Sequence, residues 1–499
     1  MRNEQVFTPK HVIDTIFEEL EYQSDNLRQK HIIDNSCGDG AFLKEIVRKY
    51  INTCIMHNLS KEQTVNELET YIHGIEIDEV LYGKTIDNLN KIADEYCLGK
   101  VNWDVICGDA MDIDKFNNKM DYVVGNPPYC NVHDLGDRYD KVKTYKFANG
   151  GMTDLYLVFF EIGINMLNEN GKLGYITPNS WLNSKAGTNF RNYLKDSKTL
   201  LEIYQYGYKK IFDKVNTYTC ITFLSKTPKR NNIFICYRNV EHPHMLPNCD
   251  KMVQTVENLD DCMINGNIYL TDKDTLSILK EIDEINIKTK KNSNRIRVKN
   301  GFATLNDELF IIDDFIENNK EYKDNRNVLS VIKASNGEHH YFFYPYDSNG
   351  KPVSRNEIDD KLFEYLSSKA LKLEVDTSNP TWWLYGRTQA LNDVKFNKII
   401  VNNLIRREGD VKISLLLKNM GVYSGFYVPL YDTYDDKAEY KIMKYIQNKE
   451  FVNYVKAIGK YKNGGYYTFS SKDLEAWLNF CFYKNKQDFN DLELNWYRI

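Results

Sequence analysis

The first 225 or so residues of this 499-residue chain alternate short apolar segments with amphipathic stretches of helical periodicity. Seven segments have the length and the β-branched or aromatic composition of strands, at 31–35, 71–77, 101–107, 120–124, 172–177, 200–206 and 218–224. Helical patterns at 41–50, 80–96 and 154–167 lie between them. Strands that alternate with helices indicate an α/β domain with a mostly parallel sheet. We therefore predict a Rossmann-like domain with seven strands.

The alternation of strands and helices stops near Thr227 and Pro228. Beyond this point strand-like and helical segments mix irregularly, and aromatic residues become dense. We therefore predict a domain boundary at about residue 230. The first domain would cover residues 1–229, and a second domain of mixed α+β type would cover residues 230–499.

The charge balance excludes one class of protein and leaves others open. The chain has 65 Lys and Arg residues against 70 Asp and Glu residues, a formal net charge of −5. Such a chain is not a polycationic tail, but a basic groove can lie on a globally acidic surface. No apolar run approaches the roughly 20 residues that span a bilayer, and the N-terminus has no apolar signal segment. We expect a cytoplasmic protein with no membrane contact.

The ten cysteines are scattered, and no two form a Cys-x-x-Cys pair. This distribution predicts reduced thiols rather than a disulfide framework. The nearest approach to a metal cluster is the set Cys236, His242, His244 and Cys249. Its irregular spacing matches no zinc template, so we predict no metal site.

A glycine loop follows the first predicted strand and leads into a helix. Gly38 and Gly40 within it allow a sharp turn and a close approach of the backbone to a ligand. Acidic residues follow the next two strands, Glu76 after the second and Asp109 after the third. A carboxylate at the second strand end is placed to accept hydrogen bonds from ribose hydroxyls, and one at the third could accept from an adenine amino group. Together these features predict an adenosine pocket.

The most specific motif is Asn126-Pro127-Pro128-Tyr129, directly after the fourth predicted strand. Two consecutive prolines fix φ near −65° and stiffen the backbone. The side chain of Asn126 and the carbonyl of Pro127 supply two acceptors for a planar exocyclic amine, and Tyr129 supplies an aromatic face for its ring. The motif predicts a site for an amino-bearing base.

The order of these motifs resembles the gamma class of S-adenosylmethionine-dependent adenine-N6 DNA methyltransferases (TaqI-like). In this sequence the order runs from Phe7-Thr8-Pro9 and its helix through the glycine loop to the strand-end acids and the Asn-Pro-Pro-Tyr motif. Looser landmarks follow at 344–346, 382–387 and 462–467. The resemblance implies a Rossmann-like methyltransferase domain, a C-terminal DNA target-recognition domain, S-adenosylmethionine as cofactor and double-stranded DNA as substrate.

The resemblance also implies roles for individual residues. The cofactor would contact Thr8, Pro9, Asp34, Ser36, Cys37, Gly38, Glu76, Ile77, Asp109 and Asn126. The target base and its amine would contact Asn126, Pro127, Pro128, Tyr129 and Phe212, and Tyr208 or Tyr218 could take the place of Phe212. One position departs from the class, because Asn35 stands where its members usually carry a proline or another small residue.

Basic residues in the predicted second domain are candidates for DNA contacts. A run at 288–299 holds six basic residues and no acid, although a solvated strand edge or linker would have the same composition. The candidates are Lys288, Lys290, Lys291, Arg295, Arg297, Arg387, Arg406, Arg407 and Lys462.

The sequence leaves several functions open. An Asn-Pro-Pro-Tyr loop also suits cytosine-N4 DNA methylation, RNA methylation or methylation of a protein glutamine. The chain could also be a modification subunit that needs a separate specificity protein, or a DNA-binding regulator with a vestigial cofactor fold. We expect a monomeric enzyme that acts alone or beside a cognate restriction endonuclease in the same cell, without a stable complex.

Overall fold

The computed structural model describes residues 8–23, 27–130, 136, 138–148, 153–206, 211–212, 217–228, 232–237, 251–256, 258–291, 295–431, 437–462 and 465–484. The chain divides into two compact units, Met1–Leu276 and Ser277–Ile499. None of the helices in the described residues has the length and apolar character needed to cross a bilayer.

The first unit is built on one large sheet with the strand order β3-β2-β1-β4-β5-β7-β6-β8-β9. Neighbouring strands are parallel, except that β7 is antiparallel to β5 and β6, and β9 is antiparallel to β8. The strands are β1 (Ile32–Asp34), β2 (Ile72–Glu76), β3 (Asp104–Cys107), β4 (Met120–Gly125), β5 (Leu167–Pro178), β6 (Leu200–Gln205), β7 (Thr219–Ser225), β8 (Asn232–Tyr237) and β9 (Lys251–Val256).

Helices cover both faces of this sheet, as the apolar strands require. They are α1 (Lys10–Glu19), α2 (Ala41–Met56), α3 (Lys61–Tyr71), α4 (Glu79–Glu95), α5 (Tyr139–Val142), α6 (Leu155–Met166) and α7 (Thr188–Ser197). Successive residues of β1 point to opposite faces, so Ile32 packs in the core with α1–α4 and Ile33 packs in the core with α6 and α7. A small antiparallel hairpin, β10 (Met263–Ile264) and β11 (Asn267–Ile268), follows the large sheet.

The predicted α/β class is confirmed, and each of the seven predicted strands overlaps one of β1–β7. The sheet continues past the predicted boundary at about residue 230, because β8 pairs in parallel with β6 and β9 pairs with β8. The division between the compact units accordingly falls after Leu276. Pro228 lies in a connection between two strands of one sheet.

A buried arginine stabilises the first unit around the segment that follows β5. The guanidinium of Arg191, on α7, donates to the carbonyls of Trp181 at 2.6 Å and Ser184 at 2.7 Å, and also to the carbonyl of Gly266. Burial lowers the pKa of Arg191 below its usual value. The Arg191 side chain therefore connects α7 to the segment 181–184, which follows β5, and to the β10–β11 hairpin.

We expect Arg191→Met to lower the free energy of unfolding by about 3 kcal/mol, because one buried and two partly buried carbonyls lose their donor. Urea unfolding of the full chain measures this loss. Arg48→Met is the control, because Arg48 forms a surface ion pair with Glu95 at 3.2 Å that contributes at most about 1 kcal/mol. Equal midpoints for the two variants would show that the Arg191 contacts are not stabilising.

A hydrogen-bonded chain of ionisable groups lies at the amino-terminal edge of the sheet. His31 Nδ1 is 2.9 Å from His73 Nε2, and His73 Nδ1 is 2.7 Å from Asp104 Oδ2. Burial and the neighbouring His73 lower the pKa of His31, whereas the hydrogen bond from His73 lowers the pKa of Asp104 to about 2. Both groups therefore bind protons more weakly in the folded chain than in the unfolded chain.

This chain of groups predicts a loss of stability in acid. The unfolded chain binds a proton at His31 more readily than the folded chain does. The contribution of neutral His31 to the free energy of unfolding is therefore present above pH 6.5 and is lost as the pH falls below that value. We expect the urea midpoint to fall between pH 7.5 and pH 5.5, and His31→Asn to reduce that fall. His57→Asn, at an exposed histidine, should leave the pH dependence as it is in the wild type. An unchanged pH dependence in His31→Asn would contradict the prediction.

The second unit has the mixed α+β character that was predicted. Three small sheets have the orders β12-β19-β15-β17, β14-β13-β18 and β16-β21-β20. Their strands are β12 (Lys299–Asn300), β13 (Val328–Lys333), β14 (His339–Phe343), β15 (Lys398–Val401), β16 (Leu404–Ile405), β17 (Ile413–Leu416), β18 (Met420–Tyr423), β19 (Phe426–Pro429), β20 (Tyr461–Lys462) and β21 (Tyr466–Thr468). The helices, the first of which begins just before the division, are α8 (Lys273–Thr289), α9 (Asp307–Phe310), α10 (Asp313–Asn318), α11 (Asp360–Lys372), α12 (Ala438–Gln447), α13 (Lys449–Ala457) and α14 (Ser471–Lys484).

Candidate functional site

The glycine loop connects β1 to α2 at the carboxyl edge of the sheet. Gly38 has φ +58°, and a Cβ at this position would meet no atom within 4 Å, so the loop leaves open space beside its backbone. Gly40 has φ +85° and precedes the first turn of α2. Both values lie in the left-handed region that glycine adopts without penalty. The loop thus presents accessible backbone at the end of the first strand.

Glu76, at the end of β2, fixes the shape of this loop. One carboxylate oxygen accepts from the N–H of Gly38 at 2.8 Å, and the other accepts from the N–H of Asp78 at 2.9 Å. The side chain is buried. Ile77 follows it and is 52% exposed, which leaves an apolar side chain available at the strand end.

Asp109 begins the short helical turn after β3 and contacts a residue that no sequence pattern indicated. Its Oδ1 accepts from the N–H of Met111 at 3.0 Å, and its Oδ2 lies 3.7 Å from Nη1 of Arg138. Tyr145 also donates to the carbonyl of Met111, at 3.3 Å. Arg138 and Tyr145, which follow the Asn-Pro-Pro-Tyr motif in the chain, therefore contact the turn at Asp109–Met111. Arg138 and Asp109 are 29 residues apart and share no recognisable motif.

Asp34, the last residue of β1, is a buried carboxyl group beside the end of β4. Its Oδ1 accepts from the N–H of Ser36 at 3.1 Å. A Cβ at Gly125 would lie 2.7 Å from the same oxygen, so only glycine fits there. Burial raises the pKa of Asp34 to about 8. A positively charged ligand group at this edge would favour its ionised form.

The Asn-Pro-Pro-Tyr motif leaves β4 and is held from three sides. Ser36 Oγ lies 3.5 Å from the carbonyl oxygen of Asn126, which connects the motif to the glycine loop. The hydroxyl of Tyr129 donates to the carbonyl of Ile176 on β5 at 3.4 Å. The N–H of Leu155, the first residue of α6, donates to the carbonyl of Cys130 at 2.8 Å. The motif is therefore positioned by the glycine loop, β5 and α6 together.

The aromatic residues predicted to flank a target base lie together. The ring centroids of Tyr129 and Phe212 are 6.4 Å apart, with an interplanar angle of 67°. Phe212 is buried, whereas Tyr129 and Tyr218 are partly exposed. Tyr208, which could have replaced Phe212, lies outside the described residues. The structure thus brings Tyr129 and Phe212 to one place at the carboxyl edge.

The remaining predicted cofactor residues within the described part of the chain are Thr8, Pro9 and Cys37. Thr8 is buried, and Pro9 precedes α1 and accepts from the N–H of Val12 at 3.0 Å. Cys37 is buried, and its N–H donates to the carbonyl of Ile75 at 2.9 Å. Phe7 lies outside the described residues.

Asn35 has a partner that no sequence pattern indicates. Tyr175, on β5, is fully buried and donates from its hydroxyl to Asn35 Oδ1 at 2.8 Å. The Nδ2 of Asn35 also lies 3.7 Å from the sulfur of Met166. Asn35, which stands where the resembled class usually carries a proline, therefore accepts a hydrogen bond that connects the start of the glycine loop to β5.

No three His, Cys, Asp or Glu side chains of the described residues cluster as a metal site would require. Of the set considered in the sequence, His242, His244 and Cys249 lie outside the described residues.

All nine basic residues predicted to contact DNA belong to the second unit, and eight of them are exposed. The exception is Arg295, whose Nε lies 3.0 Å from Glu475 Oε1 and whose Nη2 donates to Asn286 Oδ1 at 2.6 Å. Its Nη1 donates to Thr289 Oγ1 at 3.1 Å. Every nitrogen of this guanidinium is thus engaged within the protein, which gives Arg295 an internal role.

Two of the exposed candidates lie on one small sheet. Lys462 on β20 pairs with Tyr466 on β21, and Arg406 directly follows Ile405, which pairs with the next residue of β21. Arg406, Tyr466 and Lys462 are all exposed. We call these three residues the β21 cluster. Tyr466 was not among the predicted DNA contacts.

Comparisons with known proteins find similarity to restriction-modification methyltransferases. Residues 41–212, from the first turn of α2 to Phe212, match the model of the family described as Eco57I restriction-modification methylase. The Type II restriction enzyme and methyltransferase RM.Eco57I of Escherichia coli is 24% identical over 494 residues, covering 80% of this chain and 49% of that protein. The Type II methyltransferase M.BstVI of Geobacillus stearothermophilus is 28% identical over 203 residues, covering 38% of this chain and 36% of that protein.

The chain therefore spans half or less of the length of these curated relatives. Its fold is similar to the solved structure of the Type IIL restriction-modification enzyme MmeI in complex with DNA. The TM-score is 0.62 at 15% identity, over 92% of this chain and 65% of that chain. The segment 41–212, which carries the glycine-loop helix, the strand-end acids and the Asn-Pro-Pro-Tyr motif, is therefore similar to the Eco57I restriction-modification methylase family.

Proposed function

We propose that this chain is a site-specific DNA methyltransferase that transfers a methyl group from S-adenosylmethionine to N6 of an adenine turned out of duplex DNA. The observation that carries the proposal is the position of the Asn-Pro-Pro-Tyr motif. It follows β4, beside the glycine loop after β1, and its tyrosine faces Phe212 at 6.4 Å. An amine-binding motif is thus adjacent to a nucleoside-type pocket on the same edge of one sheet.

The residues at this edge fit S-adenosylmethionine. Carboxyl groups lie at or just after the ends of three neighbouring strands, with Asp34 at β1, Glu76 at β2 and Asp109 after β3. The cofactor carries positive charge, two ribose hydroxyls and an adenine amino group, which are the groups that carboxylates bind. The open space beside Gly38 leaves room at the loop backbone. When bound, this cofactor supplies an electrophilic methyl group.

The catalytic contribution of the protein is orientation of the target amine. The lone pair of an exocyclic amine is delocalised into the ring, which makes the nitrogen a poor nucleophile. Two N–H donations, to the side-chain oxygen of Asn126 and the carbonyl of Pro127, would favour a pyramidal nitrogen with a localised lone pair. Correct positioning of reacting groups contributes several kcal/mol to catalysis. No strong general base is needed, because the amine proton becomes acidic only after methylation.

The aromatic pair compensates for the removal of the base from the duplex. Turning a base out of the stack costs a few kcal/mol in lost stacking and pairing. Tyr129 would stack on the everted base, and Phe212 would provide the second wall of its pocket. The hydroxyl of Tyr129, held by Ile176, keeps the ring in place.

We assign target recognition to the second unit. The boundary in the sequence between the catalytic part and this part then lies after Leu276 instead of at about residue 230. Its exposed lysines and arginines supply candidate phosphate contacts. The β21 cluster adds an aromatic side chain between two cations, a combination suited to nucleic acid. We propose a monomer that acts on cytoplasmic duplex DNA, alone or with a cognate restriction endonuclease.

Expression in a host without DNA methylation, followed by modification-sensitive sequencing of its genome, tests the proposal. N6-methyladenine at one recurrent sequence is the expected result. N4-methylcytosine at such a sequence would show that the pocket selects cytosine. An unmodified genome, with methyl transfer to RNA or protein instead, would overturn the proposal.

A further inference from the structure

The turn that follows β3 is contacted by side chains from a segment that begins some thirty residues later in the chain. Arg138 Nη1 lies 3.7 Å from Asp109 Oδ2. Lys141 forms an ion pair with Asp112, and Tyr145 adds a third contact to the same turn. Three side chains, spaced three or four residues apart as on a helix, therefore hold one short turn.

The segment that supplies these contacts is itself packed into the first unit. Val142, on α5, is buried in the same apolar cluster as Ala110. The N–H of Phe147 donates to Glu161 Oε2, on α6, at 3.0 Å. The ring of Phe147 is buried, with its centroid 5.2 Å from that of Phe190 on α7. The contact of the arginine with the turn therefore starts from a fixed backbone.

The two oxygens of the Asp109 carboxylate have different partners. Oδ1 accepts from the N–H of Met111 at 3.0 Å, which fixes that oxygen against the turn. Oδ2 is attracted by the guanidinium of Arg138, but 3.7 Å is too long for a hydrogen bond, so Oδ2 keeps its capacity to accept one. Two points fix the plane of the carboxylate. Its second oxygen is thus oriented in advance and open to a donor from a ligand.

We propose that Arg138 is a positioning residue for the cofactor and acts through Asp109. This inference rests on the proposed function, in which Asp109 accepts a hydrogen bond from the adenine amino group of S-adenosylmethionine. A hydrogen bond to an ionised acceptor is strong when its geometry is set before the ligand arrives. Without Arg138 the carboxylate can rotate about its anchored oxygen, and this one hydrogen bond weakens. The rest of the cofactor makes no use of the orientation of Oδ2.

Calorimetric titration of the full chain with two ligands tests the inference without methyl transfer. The first ligand is S-adenosylhomocysteine, which has the adenosine part of the cofactor and no methyl group to transfer. The second is its analogue with unsubstituted purine in place of adenine, which has no amino group. Arg138→Met should weaken binding of the first ligand by about fivefold and binding of the second by less than about twofold. Arg138→Lys keeps the positive charge and should recover most of the loss.

Lys141→Met is the matched control, because it removes the neighbouring ion pair from the same turn and leaves Asp109 unchanged. It should bind both ligands with wild-type affinity. Equal losses for the two ligands in Arg138→Met would overturn the inference, because they indicate a structural role that does not involve the amino group. Unchanged or tighter binding of S-adenosylhomocysteine, or no recovery with lysine, would also overturn it, and all three results leave the proposed function standing. Wild-type protein that binds neither ligand would overturn the proposed cofactor and this inference together.

Discussion

Asn126→Ala should retain S-adenosylmethionine binding and lose methyl transfer. The side-chain oxygen of Asn126 is one of the two acceptors proposed for the target amine. The glycine loop holds the backbone of the motif, and β5 holds Tyr129. Loss of one preorganised hydrogen-bonding group in an active site costs about 10²- to 10³-fold in kcat. Single-turnover transfer of labelled methyl to duplex DNA measures the loss, and titration calorimetry measures cofactor affinity.

The control for this experiment is Asn170→Ala, which changes an exposed asparagine of β5. It should bind cofactor and transfer methyl at the wild-type rate. If Asn126→Ala instead loses cofactor binding in the calorimeter, Asn126 belongs to the cofactor site, the second role that the sequence resemblance implied for it.

Tyr129→Ala should reduce kcat/KM far more than Tyr129→Phe or Tyr129→Trp. The proposed role of Tyr129 is stacking on the everted base, which is worth about 1–3 kcal/mol, or roughly five- to 150-fold. Phenylalanine keeps the ring and loses only the 3.4 Å hydrogen bond to the carbonyl of Ile176. We expect a loss below about threefold for Phe and an intermediate loss for Trp.

Steady-state methylation of one duplex by the three variants provides the comparison. Fluorescence of 2-aminopurine at the target position reports whether the base still leaves the stack. Tyr96→Phe is a matched control, because Tyr96 is a partly exposed tyrosine that follows α4 and donates to Asn52 at 3.1 Å. Equal losses for Ala, Phe and Trp at position 129 would rule out stacking as the function of this ring.

Local patterns predicted the strands up to residue 225 because each has a clear apolar segment bounded by helical periodicity. The same reasoning failed to place β8 and β9 in the sheet. Whether a strand extends an existing sheet or starts a new domain depends on its partner, and the partner of β8 is β6, some thirty residues earlier in the chain. The Thr227-Pro228 break correctly indicates a loop but carries no information about this pairing.

The same limit applies to the site. Glu76 and Asp109 were identified because strand ends place side chains at one edge of a parallel sheet. Arg138 and Tyr175 were missed because their contacts with Asp109 and Asn35 depend on tertiary packing. Arg295 was included for its charge, whereas its partner Glu475 lies 180 residues away in the sequence.

The hydrogen bond between Tyr175 and Asn35 has an evolutionary consequence. A proline at position 35 would remove the acceptor and leave a fully buried hydroxyl without compensation, a change that selection should oppose. Phenylalanine at position 175 would remove that conflict. Homologous chains should therefore carry either asparagine at position 35 with tyrosine at position 175, or proline at position 35 with phenylalanine at position 175. An ancestor that changed only one of the two positions would have passed through a less stable intermediate.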